Sequence, residues 1–98
     1  MIFVIATLKT TEKDRDALLE ACKACIVETQ KEDGCLSYDL HANINAPETL
    51  VFVERWRDRE ALEAHFKSPH ISVLKEVAGP LIVEQSVEII SPDAVEKK

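Results

Sequence analysis

The stretch Thr49-Leu50-Val51-Phe52-Val53-Glu54-Arg55-Trp56-Arg57 decides the fold. It is rich in β-branched and aromatic residues and holds no Gly or Pro, so it reads as a strand. Successive side chains of a strand point to opposite faces. Leu50, Phe52, Glu54 and Trp56 therefore share one face, and Val51, Val53 and Arg55 the other. Both faces are apolar. The segment Ile2–Lys9 behaves the same way, with Phe3 and Ile5 opposing Ile2 and Val4. A sheet with one wet face alternates cleanly between apolar and polar. Two strands that are apolar on both sides need cover on both sides. Helices supply one cover; a second copy of the chain, packed sheet to sheet about a two-fold axis, supplies the other.

Upstream, Thr11-Glu12-Lys13-Asp14 resembles a capping box, with Thr11 as N-cap and an acid three residues on. The pattern to Lys31 is helical: Leu18, Ala21, Cys22, Cys25, Ile26 and Thr29 fall on one face. Asp33-Gly34 ends this helix. Cys35–Ala42 is a second strand with Leu36, Tyr38 and Leu40 on one face, and Asn43–Glu48 a loop before the third strand. Asp58 caps a second helix carrying Ala61, Leu62, His65 and Phe66. Ser68-Pro69 breaks and restarts it, and Gly79-Pro80 stops it. Leu81–Ile90 is the last strand, with Leu81, Val83, Val87 and Ile89 on one side. The order β-α-β-β-α-β is the ferredoxin-like split βαβ, an α+β fold with a four-stranded antiparallel sheet. One domain is expected over residues 1–91, with a polar tail at 92–98.

Composition narrows the function. The 98 residues make one domain with a modest core. Twelve Lys and Arg against eighteen Asp and Glu give a net charge of −6, and no basic block runs along the chain, so nucleic acid is not an expected partner. No apolar run approaches the roughly 18 residues that span a bilayer. The apolar start, Ile2–Ala6, is too short for a signal segment, and a cytoplasmic protein is expected. Three cysteines are an odd count and argue against a disulfide framework. Cys22 and Cys25 lie inside the helical pattern and read as small core residues rather than metal or redox ligands.

Five residues could carry chemistry. Glu54 sits between Phe52 and Trp56 on an apolar face, where a carboxylate must find a partner or have its pKa raised. It is either a general base or orienting group, or a pairing group across the dimer. Trp56 and Tyr38 are the only residues of their kinds; Trp56 is either core or a planar wall, and Tyr38 needs a partner for its hydroxyl. His65 lies on the Ala61/Leu62 face and looks onto the strand bearing Glu54 and Trp56, so it is either a satisfied core histidine or a proton acceptor. His70 belongs nearer the rim. The pair His65 and His70 is not a zinc signature, because the spacing crosses a helix break and no HExxH is present, and no metal site is expected.

Gly34-Cys35-Leu36-x-Tyr38, Glu54-x-Trp56, Ala61-Leu62-x-x-His65 and Ser68-Pro69-His70 together resemble the antibiotic biosynthesis monooxygenase family, in order, across residues 2–90. The resemblance implies a homodimer whose sheets join into an α/β barrel. It also implies oxidation of a small quinol or polyphenol by O₂, with no metal, flavin or haem. The haem-degrading branch is disfavoured: the first strand has no Asn, His65 stands at the helix Trp position and Lys75 at the haem-ligand position. On this resemblance His65 accepts a proton from the substrate, and Glu54 orients His65 or a substrate hydroxyl. Trp56 and Tyr38 hold the ring, and Phe52, Phe66 and His70 complete the substrate-binding set. Two alternatives stand beside it. One is an isomerase of a small oxygenated metabolite, which, if phosphorylated, would draw on Arg55, Arg57 or Lys75; the other is a non-catalytic dimer that binds a small molecule.

Overall fold

A computed structural model describes all 98 residues. Eight elements follow one another: β1 (Ile2–Lys9), α1 (Arg15–Thr29), β2 (Cys35–Asn43), β3 (Ala46–Trp56), α2 (Arg59–Phe66), α3 (Pro69–Ala78), a 3₁₀ turn (Gly79–Leu81) and β4 (Glu84–Ile90). The strands form one antiparallel sheet in the order β2-β3-β1-β4. This is the ferredoxin-like α+β arrangement, and β3 and β1 lie at its centre because each can be buried on both faces.

Register aligns the inner face. Val4 stands opposite Glu54, Ala6 opposite Phe52 and Leu8 opposite Leu50; Tyr38 stands opposite Glu54 on the other side. All of these except Glu54 pack under the helices with Leu18 and Cys22 of α1 and Ala61 and Leu62 of α2 to form the core. On the outer face Phe3, Ile5, Val51 and Val53 are only half-buried. The Arg55 guanidinium lies 5.4 Å from the centre of the Phe3 ring there.

Local chemistry explains most boundaries. Asp58 accepts a bond from the Ala61 amide at 2.8 Å and starts α2. Ser68 accepts from the Ile71 amide and donates to the His65 carbonyl at 2.7 Å, while Pro69 occupies the first turn of α3. One serine therefore fixes the joint between α2 and α3.

Five expectations need correction. The Thr11 hydroxyl accepts from the Asp14 amide at 3.2 Å, but this closes a turn ahead of α1, whose first helical residue is Arg15. The helix stops at Thr29, and Gly34, with φ of +88°, serves the turn into β2 rather than capping α1. Leu36 is exposed: the β2–β3 register shifts between Cys35 and Ser37, so Cys35 takes the inner place facing Trp56 and Leu36 bulges outward. The expected loop at Asn43–Glu48 shrinks to Ile44 and Asn45, because the Asn43 side chain accepts from the Asn45 amide at 2.8 Å and closes the turn locally. The last strand starts at Glu84, not Leu81. The Thr10 hydroxyl donates to the Leu81 carbonyl at 2.6 Å, and Val83 N–H to the Lys9 carbonyl at 2.7 Å, so this segment is tied down before it pairs.

Candidate functional site

A cavity of about 500 Å³ opens between the sheet and the α2–α3 side of the helical layer. That volume suits a small organic ligand. Its wall is mostly apolar, with Tyr38, Phe52, Glu54, His65 and Phe66 among the residues that face it. Lys75 is the single cationic residue on the wall, against the two acids Glu54 and Glu84. Five of the seven residues expected to form the site therefore meet in one place.

Trp56 and His70 do not line this cavity. Trp56 is fully buried behind it. Its ring lies 4.6 Å from the His65 ring, centre to centre, and its Nε1 donates to Glu54 Oε1 at 2.9 Å. It therefore acts as backing for His65 and Glu54 rather than as an exposed wall. Tyr38 stacks at 4.8 Å on Phe52, and its hydroxyl meets Cys25 Sγ at 3.9 Å instead of being free for a ligand. Burial raises the Tyr38 phenol well above its ordinary range, so it stays protonated.

Glu54 finds its partner within its own chain. Burial pushes its carboxyl up to about 7, the Trp56 N–H pulls it back towards the charged form, and the Glu32 charge adds to the rise. His65 is held below its ordinary value, first by burial, while a hydrogen bond to Glu32 opposes the shift.

Glu32 is the residue that sequence reasoning missed. Its Oε2 lies 2.6 Å from His65 Nδ1 and 2.7 Å from His70 Nε2. It sits in the turn after α1, in a run of charged residues that reads as solvated surface; only the need of a buried histidine for a partner pointed to it. Glu32, not Glu54, is the carboxylate that contacts the His65 ring. With Nδ1–H donated to Glu32, the His65 nitrogen left to accept a proton is Nε2. His70 lies behind, in a cleft between α1 and α3.

The cations named for an anionic metabolite do not gather. Arg57 pairs with Asp33 and Asp58 at 3.3 Å on the surface, and Arg55 lies over Phe3 on the outer sheet face. Neither lines the cavity.

Fold and site define a class: a small split-βαβ protein with an aromatic cavity overlooked by a carboxylate-held imidazole. The antibiotic biosynthesis monooxygenase family model matches residues 1–77, and this chain belongs to that family. YgiN of Escherichia coli K12, described as a probable quinol monooxygenase, is 29% identical, with 94% of this chain and 98% of that protein aligned. Rv0793 of Mycobacterium tuberculosis, named as a candidate monooxygenase, is 36% identical over 93% of this chain and 90% of its own length. The Rv0793 structure superposes with a TM-score of 0.90 at 34% identity, covering 98% of each chain. A crystal structure titled antibiotic biosynthesis monooxygenase superposes at 0.88 and 30% identity, covering 98% of this chain and all of its own. No helix is long and apolar enough to cross a membrane.

Proposed function

We propose that the protein is a monooxygenase that oxidises a small quinol or polyphenol with O₂ and without a bound cofactor. The observation that carries this reading is His65 on the cavity wall with Nδ1 fixed by Glu32, which leaves Nε2 for a substrate proton. Family membership and the description of YgiN support the substrate class.

Removing the proton raises the electron density of the ring. The quinolate passes one electron to O₂, and the resulting radicals join at a ring carbon to form a peroxide. The imidazolium returns the proton to the peroxide, the O–O bond breaks, and water leaves. For a simple hydroquinone, quinol plus O₂ gives hydroxyquinone plus water: one oxygen stays on the ring, and the other departs with two substrate hydrogens. The substrate is its own reductant, so the balance needs no further electron donor.

Phe52 and Phe66 hold the ring, Tyr38 packs against Phe52 on the same wall, and Trp56 keeps His65 in place. Glu54, protonated in part near pH 7, hydrogen-bonds a second substrate oxygen. Lys75 offsets the charge of the quinolate. A phosphorylated substrate is disfavoured, because one lysine faces two acids on the wall. The protein acts as a homodimer through the outer sheet face, where Phe3, Ile5, Val51 and Val53 lie together.

O₂ uptake with a panel of hydroquinones tests this reading. Wild type should consume O₂, and His65→Ala should slow uptake by about 10²–10⁴-fold, the range for a lost general base. Equal uptake by the variant removes His65 from the mechanism, and no uptake with any quinol removes the substrate class.

A further inference from the structure

Glu32, His65 and His70 bring one carboxylate oxygen and two imidazole nitrogens within 4.8 Å of one another. They come from the turn after α1, the end of α2 and the start of α3, and Ser68 fixes the joint between the two histidines. Glu32 pairs with no lysine or arginine; its charge meets only the two rings. With both rings neutral, the cluster carries one negative charge in a shielded place, with side-chain exposures of 16% for Glu32, 3% for His65 and 19% for His70. Two histidines and a carboxylate converging from fixed elements is a donor set that divalent first-row ions accept.

We propose that Glu32 Oε2, His65 Nδ1 and His70 Nε2 form a binding site for a divalent transition-metal ion of the zinc type, and that occupancy switches off His65. The ion enters from the α1–α3 cleft, a space of about 310 Å³ lined by His70, Cys25 and Glu28, with water in its fourth position. It sits behind His65 rather than in the cavity, since neither Glu32 nor His70 lines the cavity wall.

The proton count gives the consequence. In the metal-free protein the His65 proton is on Nδ1, shared with Glu32, and Nε2 accepts. An ion takes the Nδ1 lone pair, and the ring proton moves to Nε2. His70 moves its proton from Nε2 to Nδ1 in the same way. Both rings stay neutral and Glu32 stays anionic, so no net proton is released. His65 then offers a donor to the cavity where it had offered an acceptor. The switching clause rests on the proposed role of His65 as base; the binding clause does not.

Chelator-treated protein titrated with Co²⁺ should develop the visible absorption of a low-coordinate N/O site, saturating at one ion per chain, and Zn²⁺ should displace it. His70→Ala and Glu32→Gln should each weaken binding by more than roughly tenfold, the lower bound for losing even an outer-shell partner. His41→Ala, an exposed residue, should leave affinity unchanged. Imidazole ¹⁵N spectra of the wild type read the ring without mutation: on Zn²⁺ addition His65 should convert from the Nδ1–H to the Nε2–H tautomer. Absence of saturable binding up to about 1 mM ion, the weak end of specific affinity, overturns the proposal. So does wild-type affinity in His70→Ala. Ion binding with the tautomer shift but undiminished quinol oxidation overturns the switching clause and the base assignment while the metal site stands. No ion binding together with quinol oxidation that His65→Ala abolishes overturns the metal site alone.

Discussion

Trp56 Nε1 donates to Glu54 Oε1 at 2.9 Å, so the one tryptophan holds the one buried acid. This bond favours the charged carboxylate, yet burial outweighs it and pushes the group up to about 7 from an ordinary 4.5. The folded state therefore binds the Glu54 proton more tightly than the unfolded state. The resulting stability is fully present below about 4.5, falls as pH rises, and is gone above about 7. The total is on the order of 3 kcal/mol at 1.36 kcal/mol per pH unit. Glu54→Gln keeps an oxygen for Trp56 and removes the titration. Its stability relative to wild type should rise between pH 4.5 and 7 and then level off. Urea unfolding at a series of pH values checks this, and a constant difference across that window contradicts it.

Glu32→Gln tests orientation. Glutamine retains one acceptor oxygen but also presents an N–H₂, so the hold on the His65 tautomer weakens while the cavity wall is untouched. kcat for quinol oxidation should fall by about 10–100-fold, the usual cost of an outer-shell partner, with KM little changed. A change confined to KM would place Glu32 in substrate binding instead.

Gly34 positions the helix that carries His65. Its φ is +88°, and a Cβ there would lie 2.5 Å from Ala61 Cβ in α2. Gly34→Ala should therefore cost about 1–3 kcal/mol through backbone strain alone, plus displacement of α2. At Gly79 φ is ordinary and an added Cβ meets nothing within 4 Å. Gly79→Ala should be neutral or stabilise by up to about 1 kcal/mol. Equal melting temperatures for the two variants would show that Gly34 is not constrained.

Leu62 is fully buried between α2 and the sheet core. Leu62→Ala should destabilise by about 2–5 kcal/mol, as a core cavity does. Denaturant unfolding reads it directly; a loss below about 1 kcal/mol would mean that α2 collapses into the space.

Val53→Asp tests the outer face. Val53 is half-buried beside Phe3, Ile5 and Val51 in a single chain, and a carboxylate there is compatible with a folded monomer but not with sheet-to-sheet packing. Sedimentation should show wild-type dimers and monomeric Val53→Asp with unchanged secondary structure. A wild type that is monomeric at micromolar concentration removes the dimer.

Element order and the grouping of side chains within β1 and β3 were legible in the residues alone. Alternation separates Val4 from Phe3 and Ile5 in β1, and groups Phe52 with Glu54 in β3, while burial under the helices makes those the inner sets; Asp58 and Ser68-Pro69 mark helix starts through bonds only three residues long. Such signals are legible because cause and effect lie within one turn or one pleat. Three-dimensional packing set the rest: Leu36 bulges out, the Tyr38 hydroxyl goes to Cys25, and Glu32 grips His65 and His70. Those contacts to Glu32 span 33 and 38 positions and depend on how the exit of α1 meets the α2–α3 joint. A charged residue in an exit turn looks the same in sequence whether it faces water or a pair of imidazoles. The choice is made by packing, which sets segments far apart in the chain side by side.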